Sequence, residues 1–317
     1  MNRKSTTILI VVIAVVFLLA LVAAIVAATL IAARVEPFGG DRVALIRMEG
    51  VITSGRGSRG LLGGGVAGSE RIVGILEEFR KDNSVKSAVL RINSPGGSAA
   101  ASQEVYREIM RVRKSGKKIT VSMGDVAASG GYYVASAADR IYADPATVTG
   151  SIGVIMETAD LHELLERIGI DFGVIKSGKH KDMGSFSRAM TAEERKILQA
   201  VIDDVYDQFV TDVSKGRKLP KDQVRKLADG RIYTGRQALK LKLVDRLGTL
   251  EDALRAAASD AGIKGEFSVK EYERQLGLFD VLFGPTDVEL SGWFQPSDAL
   301  REFAERLLRI DSGSELR

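Results

Sequence analysis

An uninterrupted apolar stretch near the start of the sequence constrains the fold more than any other feature. Thr6–Ala33 contains no charged side chain. A helix needs roughly 20 residues to cross the apolar core of a bilayer, and this stretch is longer. The alternative is a cleaved secretory signal, whose apolar region is only about 7–15 residues long. The stretch therefore predicts one transmembrane signal-anchor over residues 6–33.

Charges that flank the predicted anchor predict its orientation. Arg3 and Lys4 lie in the short segment before it. Positively charged flanks remain on the cytoplasmic side of a membrane. We therefore expect residues 1–5 in the cytoplasm, a linker over residues 34–42, and the remainder of the chain on the outer side.

Composition excludes several kinds of site. The 317 residues include no Cys and only two His, His162 and His180. These counts exclude disulfides, thiolate metal sites and a cysteine nucleophile, and they argue against a multi-histidine metal site. The net charge of +4 is scattered and too small to indicate a nucleic-acid-binding protein. We expect no metal, cofactor or nucleic-acid partner, so catalysis must use other side chains or backbone groups.

After the linker, short apolar runs alternate with amphipathic helical patterns. Strand-like runs are predicted at residues 43–52, 87–93, 118–123, 172–175 and 243–245. Ser69 is placed to cap the first helix. Thr191 and Glu194 have the spacing of a capping box, which predicts a long helix to about Ser214. This alternation is typical of an α/β fold with mostly parallel strands.

We assign the alternating pattern to one domain over residues 43–264, followed by a tail over residues 265–317. The tail contains an amphipathic pattern at residues 299–310, which could pack on the body, on a neighbour or on a membrane surface. Within the domain, residues 54–68 contain seven glycines. This segment is either a mobile surface loop or a lip over a binding groove.

Two glycine-centred turns follow predicted strands and could carry chemistry. Asn93–Gly97 forms the first turn, and Ala127–Tyr132 forms the second, with Ser129 between a strand and a helix. That position lifts a serine hydroxyl above the edge of a sheet. The N–H groups of Gly97 and Gly130 would then form an oxyanion hole. The alternative is that both segments serve only to reverse the chain.

A serine nucleophile needs a base, and the sequence offers five candidates. His162 lies in a helical pattern and His180 in a polar loop, and either could belong to a Ser–His–Asp triad. The same loop carries Lys176, Lys179 and Lys181. The residue pattern alone does not choose among them.

Four motifs in order resemble the signal peptide peptidase A (protease IV) family. They are Asn93–Gly97, Ala127–Tyr133, Thr149–Val154 and Ser177–Asp182, and the similarity extends over roughly residues 43–260. The resemblance implies a serine protease with a Ser–Lys dyad. It also implies a Clp-protease/crotonase-like spiral of βα units, so residues 43–264 would be the peptidase domain.

The resemblance also implies a role for each matching residue. Ser129 would be the nucleophile and Lys181 the general base, with the Ser151 hydroxyl orienting the lysine amine. Gly97 and Gly130 would supply the oxyanion hole through their N–H groups. Both histidines would then have no catalytic role, and no cofactor would be required.

Assembly, location and substrate follow from the same resemblance. The chain is similar to the short, single-unit bacterial form of the family, whose members form rings with Ser and Lys supplied by neighbouring protomers. Residues 6–33 would hold the protein in the lipid of the bacterial cell membrane. Remnant signal peptides and other apolar peptides would be the substrates.

Two other functions remain open at this point. The first is a crotonase-like hydratase or thioesterase that acts on coenzyme A esters, because the same fold and oxyanion hole would serve it. The second is a non-catalytic membrane scaffold.

Overall fold

The structure is a computed structural model that describes residues 15–18, 20–21, 42–57 and 65–272. The predicted anchor over residues 6–33 lies mostly outside these ranges, and the predicted tail helix lies wholly outside them. Residues 15–18 and 20–21 are helical and exposed. Across the described ranges, no helix combines the length and apolarity that a membrane crossing requires. The anchor and the tail helix therefore stay predictions.

In the described part of the chain, eight strands form one sheet in the order β10-β1-β4-β5-β6-β9, with β7 beside β5 and β8 beside β7. All pairings are parallel except that of β7 with β8. A separate parallel pair joins β2 to β3. The strands are β1 (Arg42–Glu49), β2 (Val51–Thr53), β3 (Val66–Gly68), β4 (Ser87–Ser94), β5 (Lys118–Ala128), β6 (Arg140–Ala143), β7 (Val148–Gly150), β8 (Ile232–Thr234), β9 (Arg246–Leu247) and β10 (Ser268–Glu271).

Helices cover both faces of this sheet, so the expectation of an α/β fold with mostly parallel strands is confirmed. Alternate residues of β1 point to opposite faces. Val43 and Leu45 pack with the last helix, whereas Ile46 and Met48 join the larger core on the other face. The helices are α1 (Ser69–Lys81), α2 (Ala99–Lys114), α3 (Gly130–Ser136), α4 (His162–Arg167), α5 (Ala192–Arg217), α6 (Lys221–Leu227), α7 (Gly235–Lys240) and α8 (Leu250–Asp260).

Two helix starts test the predicted caps. The capping box of Thr191 and Glu194 is present, and it opens the 26-residue helix α5. The prediction for Ser69 is wrong, because Gly68 is the N-cap of α1. The Ser69 hydroxyl instead donates to the Glu104 carboxylate at 2.6 Å. Gly68 is preferred there because a Cβ at this position would overlap the backbone of Gly57.

Three differences from the predicted strands have physical reasons. Residues 172–175 are exposed and outside any strand, so their apolar side chains are not buried against the sheet. Residues 243–245 still belong to the turn that ends α7, where Leu243 N–H donates to Ala238 O at 2.9 Å, and the strand begins only at Arg246. Strands β3, β6, β7, β8 and β10 were not predicted, because runs of three or four residues carry little apolar alternation.

Candidate active site

Ser129 occupies a strained turn between β5 and α3. Its φ is 51° and its ψ is −120°, a backbone region that non-glycine residues rarely adopt. Its N–H donates to Gly150 O at 2.8 Å, and its carbonyl accepts from Tyr133 N–H at 2.9 Å. The side chain makes no capping bond to α3 and is half-buried. The turn therefore presents the hydroxyl instead of using it to hold the helix.

The glycine turn after β4 packs directly against the Ser129 turn. A Cβ at Gly96 would lie 2.8 Å from both Ser129 Cβ and Gly130 N. On its other side the turn is fixed to β2, where Ile52 N–H donates to Gly96 O at 2.8 Å and Ile52 O accepts from Ser98 N–H at 2.8 Å. Only a residue without a side chain permits this approach.

Two N–H groups point into the space beside the serine. The bonds of Ile52 to Gly96 and Ser98 leave the Gly97 N–H directed away from β2, since successive N–H groups of an extended chain alternate in direction. Gly97 N lies 3.3 Å from the place that a Cβ at Gly130 would occupy. Among the residues that the structure describes, no backbone carbonyl accepts from the N–H of Gly97 or Gly130. Both groups are therefore available to an oxyanion.

Replacement of Gly97 by alanine tests this geometry. The φ of Gly97 is 151°, and a Cβ there would lie 2.8 Å from Ile52 N and closer still to Ile52 O. We expect a loss of about 1–3 kcal/mol in the free energy of unfolding. We also expect a fall of roughly 10²-fold in turnover at Ser129, because the N–H donor moves. Urea unfolding and a steady-state assay of that turnover measure the two effects.

Gly74→Ala is the matched control for that substitution. Gly74 lies inside α1, and nothing stands within 4 Å of a Cβ at this position. Alanine in a helix interior is more stable than glycine by up to about 1 kcal/mol, so this variant should be at least as stable as the parent. If Gly97→Ala behaved like Gly74→Ala, the tight contact with Ile52 would be refuted.

Ser151 lies next to the Ser129 turn because of the register of β5 and β7. These strands pair in parallel, with Ala127 opposite Thr149 and Ala128 opposite Gly150. The next residues along each strand are Ser129 and Ser151. Ser151 has a φ of 49°, and its N–H donates to Arg231 O at 2.9 Å. The structure thus brings Ser151 to the same sheet edge as Ser129.

Lys181 lies in an exposed turn before α5, and the other lysines of that loop have acidic partners. Lys176 Nζ donates to Asp182 at 2.6 Å, and Lys179 forms an ion pair with Glu193. In the described part of the chain, no side-chain hydrogen bond or ion pair is found for Lys181, whose backbone N–H donates to Gly178 O at 3.1 Å. Of the three lysines in this loop, Lys181 is therefore the one whose amine has no acidic partner in the described residues.

The two histidines have acidic neighbours of their own. His162 begins α4 and lies with its Nδ1 atom 2.9 Å from the Asp160 carboxylate, which raises the pKa of His162. His180 Nε2 lies 3.5 Å from Glu193, the partner of Lys179. In the described residues, neither histidine contacts Ser129. The triad alternatives therefore gain no support from the geometry.

Arg188 links the Lys181 loop to the start of α5. Its guanidinium donates to the Asp182 carboxylate through Nε at 2.9 Å and through a terminal nitrogen at 2.8 Å. It also donates to Glu194 at 2.9 Å. Arg188, followed by Lys176, holds the pKa of Asp182 well below its usual range. Arg188 and the N–H of Thr191 lower the pKa of Glu194 to about 2. Nothing in the sequence pattern singles out Arg188.

The Lys181 loop is attached to the end of α5 that lies farthest from the buried C-terminal half of this helix. The C-terminal half of α5 is anchored in the body, where Phe209 stacks on Tyr133 with ring centroids 4.4 Å apart. Glu194, where the loop is attached, lies about 22 Å further along the helix axis, at 1.5 Å per residue. Within the described ranges, no hydrogen bond or ion pair joins residues 176–190 to the turns of Ser129, Gly97 or Ser151.

Residues 155–190, here called the arm, expose an unusual amount of apolar surface. Ile155 is 82% exposed and Ile175 is fully exposed. Leu164, Ile168 and Phe172 are also exposed. Large apolar side chains exposed in this number are typical of an interaction site in a folded protein.

Two family profiles match segments of the chain. The profile of Peptidase family S49 matches residues 111–264, and the profile of Clp protease matches residues 67–148. The first segment contains Ser129, Ser151 and Lys181. The second confirms the predicted Clp-protease-like α/β fold.

Several named proteins are similar to this chain. A Methanocaldococcus jannaschii protein, provisionally named a protease, is 36% identical to this chain over 80% of this chain and 82% of its own length. A Synechocystis protein that also has a provisional protease name is 50% identical over 55% of this chain and 63% of its own length. The chloroplastic serine protease SPPA of Arabidopsis thaliana is 35% identical over 71% of this chain and 33% of its own length. The chain thus spans less than two thirds of the latter two proteins.

Proposed function

Because this chain belongs to peptidase family S49, the signal peptide peptidase A family, we propose that it is a serine endopeptidase with Ser129 as nucleophile and Lys181 as general base. The observation that carries this proposal is the Ser129 turn. A strained backbone presents a hydroxyl beside the N–H groups of Gly97 and Gly130, which donate to no backbone carbonyl in the described residues. Such a turn is typical of serine nucleophiles.

The choice of Lys181 as base is supported by its neighbours. A free lysine has a pKa of about 10.4, and a general base must first lose that proton. Lys176 and Lys179 are each paired with a carboxylate, so their amines already have partners within the chain. Lys181 has no such partner in the described residues. Cover by an apolar surface would disfavour the charged form of its amine.

A second copy of the chain would supply that cover and bring the amine to a serine. Within one chain, the Lys181 loop precedes the N-terminal end of α5, whereas the C-terminal half of α5 packs beside the helix that follows Ser129. The exposed apolar side chains of the arm, such as Ile155 and Ile175, would be buried by a neighbouring copy. We therefore assign the base of each site to the arm of an adjacent protomer in a closed homo-oligomer.

The proposed reaction passes through an acyl-enzyme. The neutral amine of Lys181 takes the proton of the Ser129 hydroxyl while Oγ attacks the peptide carbonyl. The N–H groups of Gly97 and Gly130 donate to the oxyanion. The ammonium returns its proton to the leaving amine, and the peptide bond breaks. Water then attacks the ester, gives one proton to Lys181, and Ser129 recovers its proton as the acid leaves. The Ser151 hydroxyl would orient the amine.

The proposed substrates are apolar peptides in or near a membrane, such as remnant signal peptides. The predicted anchor over residues 6–33 would hold the enzyme at that surface.

The test combines a fluorophosphonate, which reacts with activated serines, and cleavage of a signal-sequence peptide. We expect labelling at Ser129 and peptide cleavage by the full chain. Hydrolysis of an acyl-coenzyme A ester without peptide cleavage would favour the hydratase or thioesterase alternative. An assembled protein that neither reacts with the probe nor cleaves either substrate would instead be a scaffold, and the proposal would be wrong.

A further inference from the structure

From the contacts of the Lys181 loop we propose that Arg188 is a positioning residue, which fixes the Lys181 backbone to the first turn of α5 by joining Asp182 to Glu194. This inference depends on the proposed role of Lys181 as the base. It assigns a function to a residue that lies outside the four motifs and touches neither the serine nor the amine.

The first step in the argument is the rigidity of Glu194. Its backbone N–H donates to the Thr191 hydroxyl at 3.2 Å, and its carboxylate accepts from the Thr191 N–H at 3.0 Å. Glu194 is also the one buried residue in the exposed N-terminal part of α5. A helix start with both capping bonds formed is a fixed point for the polypeptide before it.

The second step is the geometry of the arginine. A guanidinium is a planar fork that can bind two carboxylates at once, which a lysine ammonium cannot do with the same directionality. Arg188 donates to both oxygens of Asp182 and to both oxygens of Glu194. It also donates to the Asp182 carbonyl at 3.3 Å. Its contacts therefore fix the main chain of Asp182 as well as its side chain.

The third step is a comparison with the other supports of the loop. These are turn bonds, such as Lys181 N–H to Gly178 O at 3.1 Å, the bond from Leu161 N–H to Phe186 O at 2.8 Å, and the pair of Lys176 with Asp182 at 2.6 Å. The pair of Lys179 with Glu193 is exposed, and exposed pairs contribute little. Arg188 and Asp182 are both half-buried. The residue directly after Lys181 is thus tied to a fixed helix end, while Lys181 itself stays free to reach a serine.

The test uses Arg188→Met and Arg188→Lys in the full-length, assembled protein, with cleavage of a signal-sequence peptide. We expect kcat to fall roughly 10²-fold in Arg188→Met, because a base displaced by about 1 Å loses that much. KM should stay within about threefold of the wild-type value, since the substitution does not touch the turns that would bind the peptide. Arg188→Lys should recover part of kcat, because an ammonium keeps one of the two links.

Two further variants separate positioning from general stability. Arg225→Met removes an arginine that pairs with Asp207 of α5, and it should leave kcat unchanged. Adding Asp182→Asn to Arg188→Met should cost only what the loss of the Lys176–Asp182 pair costs, because Arg188→Met has already broken the link between Arg188 and Asp182. The melting temperature reports folding, and gel filtration reports assembly. If Arg188→Met does not assemble, the effects on kcat and KM are compared in Arg188→Lys instead.

The outcomes distinguish this inference from the proposed function. Wild-type kcat in assembled Arg188→Met, alongside an inactive Lys181→Met, would overturn the positioning role alone. A lower melting temperature in Arg188→Met with kcat per assembled molecule unchanged would overturn it as well. Wild-type turnover by Lys181→Met would overturn the Ser–Lys dyad, and the positioning role with it.

Discussion

Ser129→Ala is expected to lower peptide cleavage by at least about 10⁴-fold, since loss of a serine nucleophile removes the covalent route entirely. The fold should persist, because the hydroxyl makes no capping bond to α3. A positive φ costs alanine and serine a similar free energy, so the substitution does not change the backbone strain of the turn. Steady-state cleavage of a signal-sequence peptide and the melting temperature are the two measurements.

Ser115→Ala is the control for a lost hydroxyl. Ser115 lies at the opposite end of α2 from the glycine turn, and its hydroxyl donates to Val112 O at 2.7 Å. Its replacement should leave turnover unchanged. Cleavage by Ser129→Ala at even a few per cent of the wild-type rate would mean that another residue is the nucleophile.

Lys181→Met is expected to lower kcat by about 10³-fold or more, because general-base catalysis and activation of the nucleophile are lost together. Lys179→Met removes an exposed partner of Glu193 two residues away and should stay within about twofold of wild type. Comparing these two variants tests which lysine amine acts as the general base. Equal losses in both would contradict the assignment of Lys181.

Mixed oligomers test whether the lysine amine of a site comes from the same chain as its serine or from a neighbouring chain. Ser129→Ala chains and Lys181→Met chains should each be inactive alone. In a ring with shared sites, however, the intact Ser129 of a Lys181→Met chain can lie beside the intact Lys181 of a neighbouring Ser129→Ala chain. Random mixing by co-expression restores about one quarter of the sites. An inactive mixture that contains both chains in one assembly would place the two groups of each site within a single chain.

The sequence was most informative where one local pattern decides one local structure. The capping box of Thr191 and Glu194 depends on two side chains three residues apart, and it formed as predicted. The position of Ser129 between a strand and a helix was also predicted, because a glycine-flanked serine follows an apolar run. Its positive φ was not, since the strain arises from the bonds to Gly150 and Tyr133.

Features that depend on distant partners could not be predicted in this way. Arg188 looks like any arginine in a polar loop until the fold places Asp182 and Glu194 on either side of it. Residues 172–175 have the apolar composition of a strand, but they lie on the exposed arm. Under the proposed function, that apolar surface is completed by another molecule, which a single sequence does not describe.

The length of α5 has a consequence for the cell that makes this protein. In one chain the Lys181 loop is attached to the N-terminal end of α5, whereas the contact of α5 with the helix that follows Ser129 lies in its C-terminal half. Hydrolysis would therefore begin only after several copies have gathered, and dilution would stop it without an inhibitor. Such an arrangement would keep unassembled molecules from cutting other polypeptides.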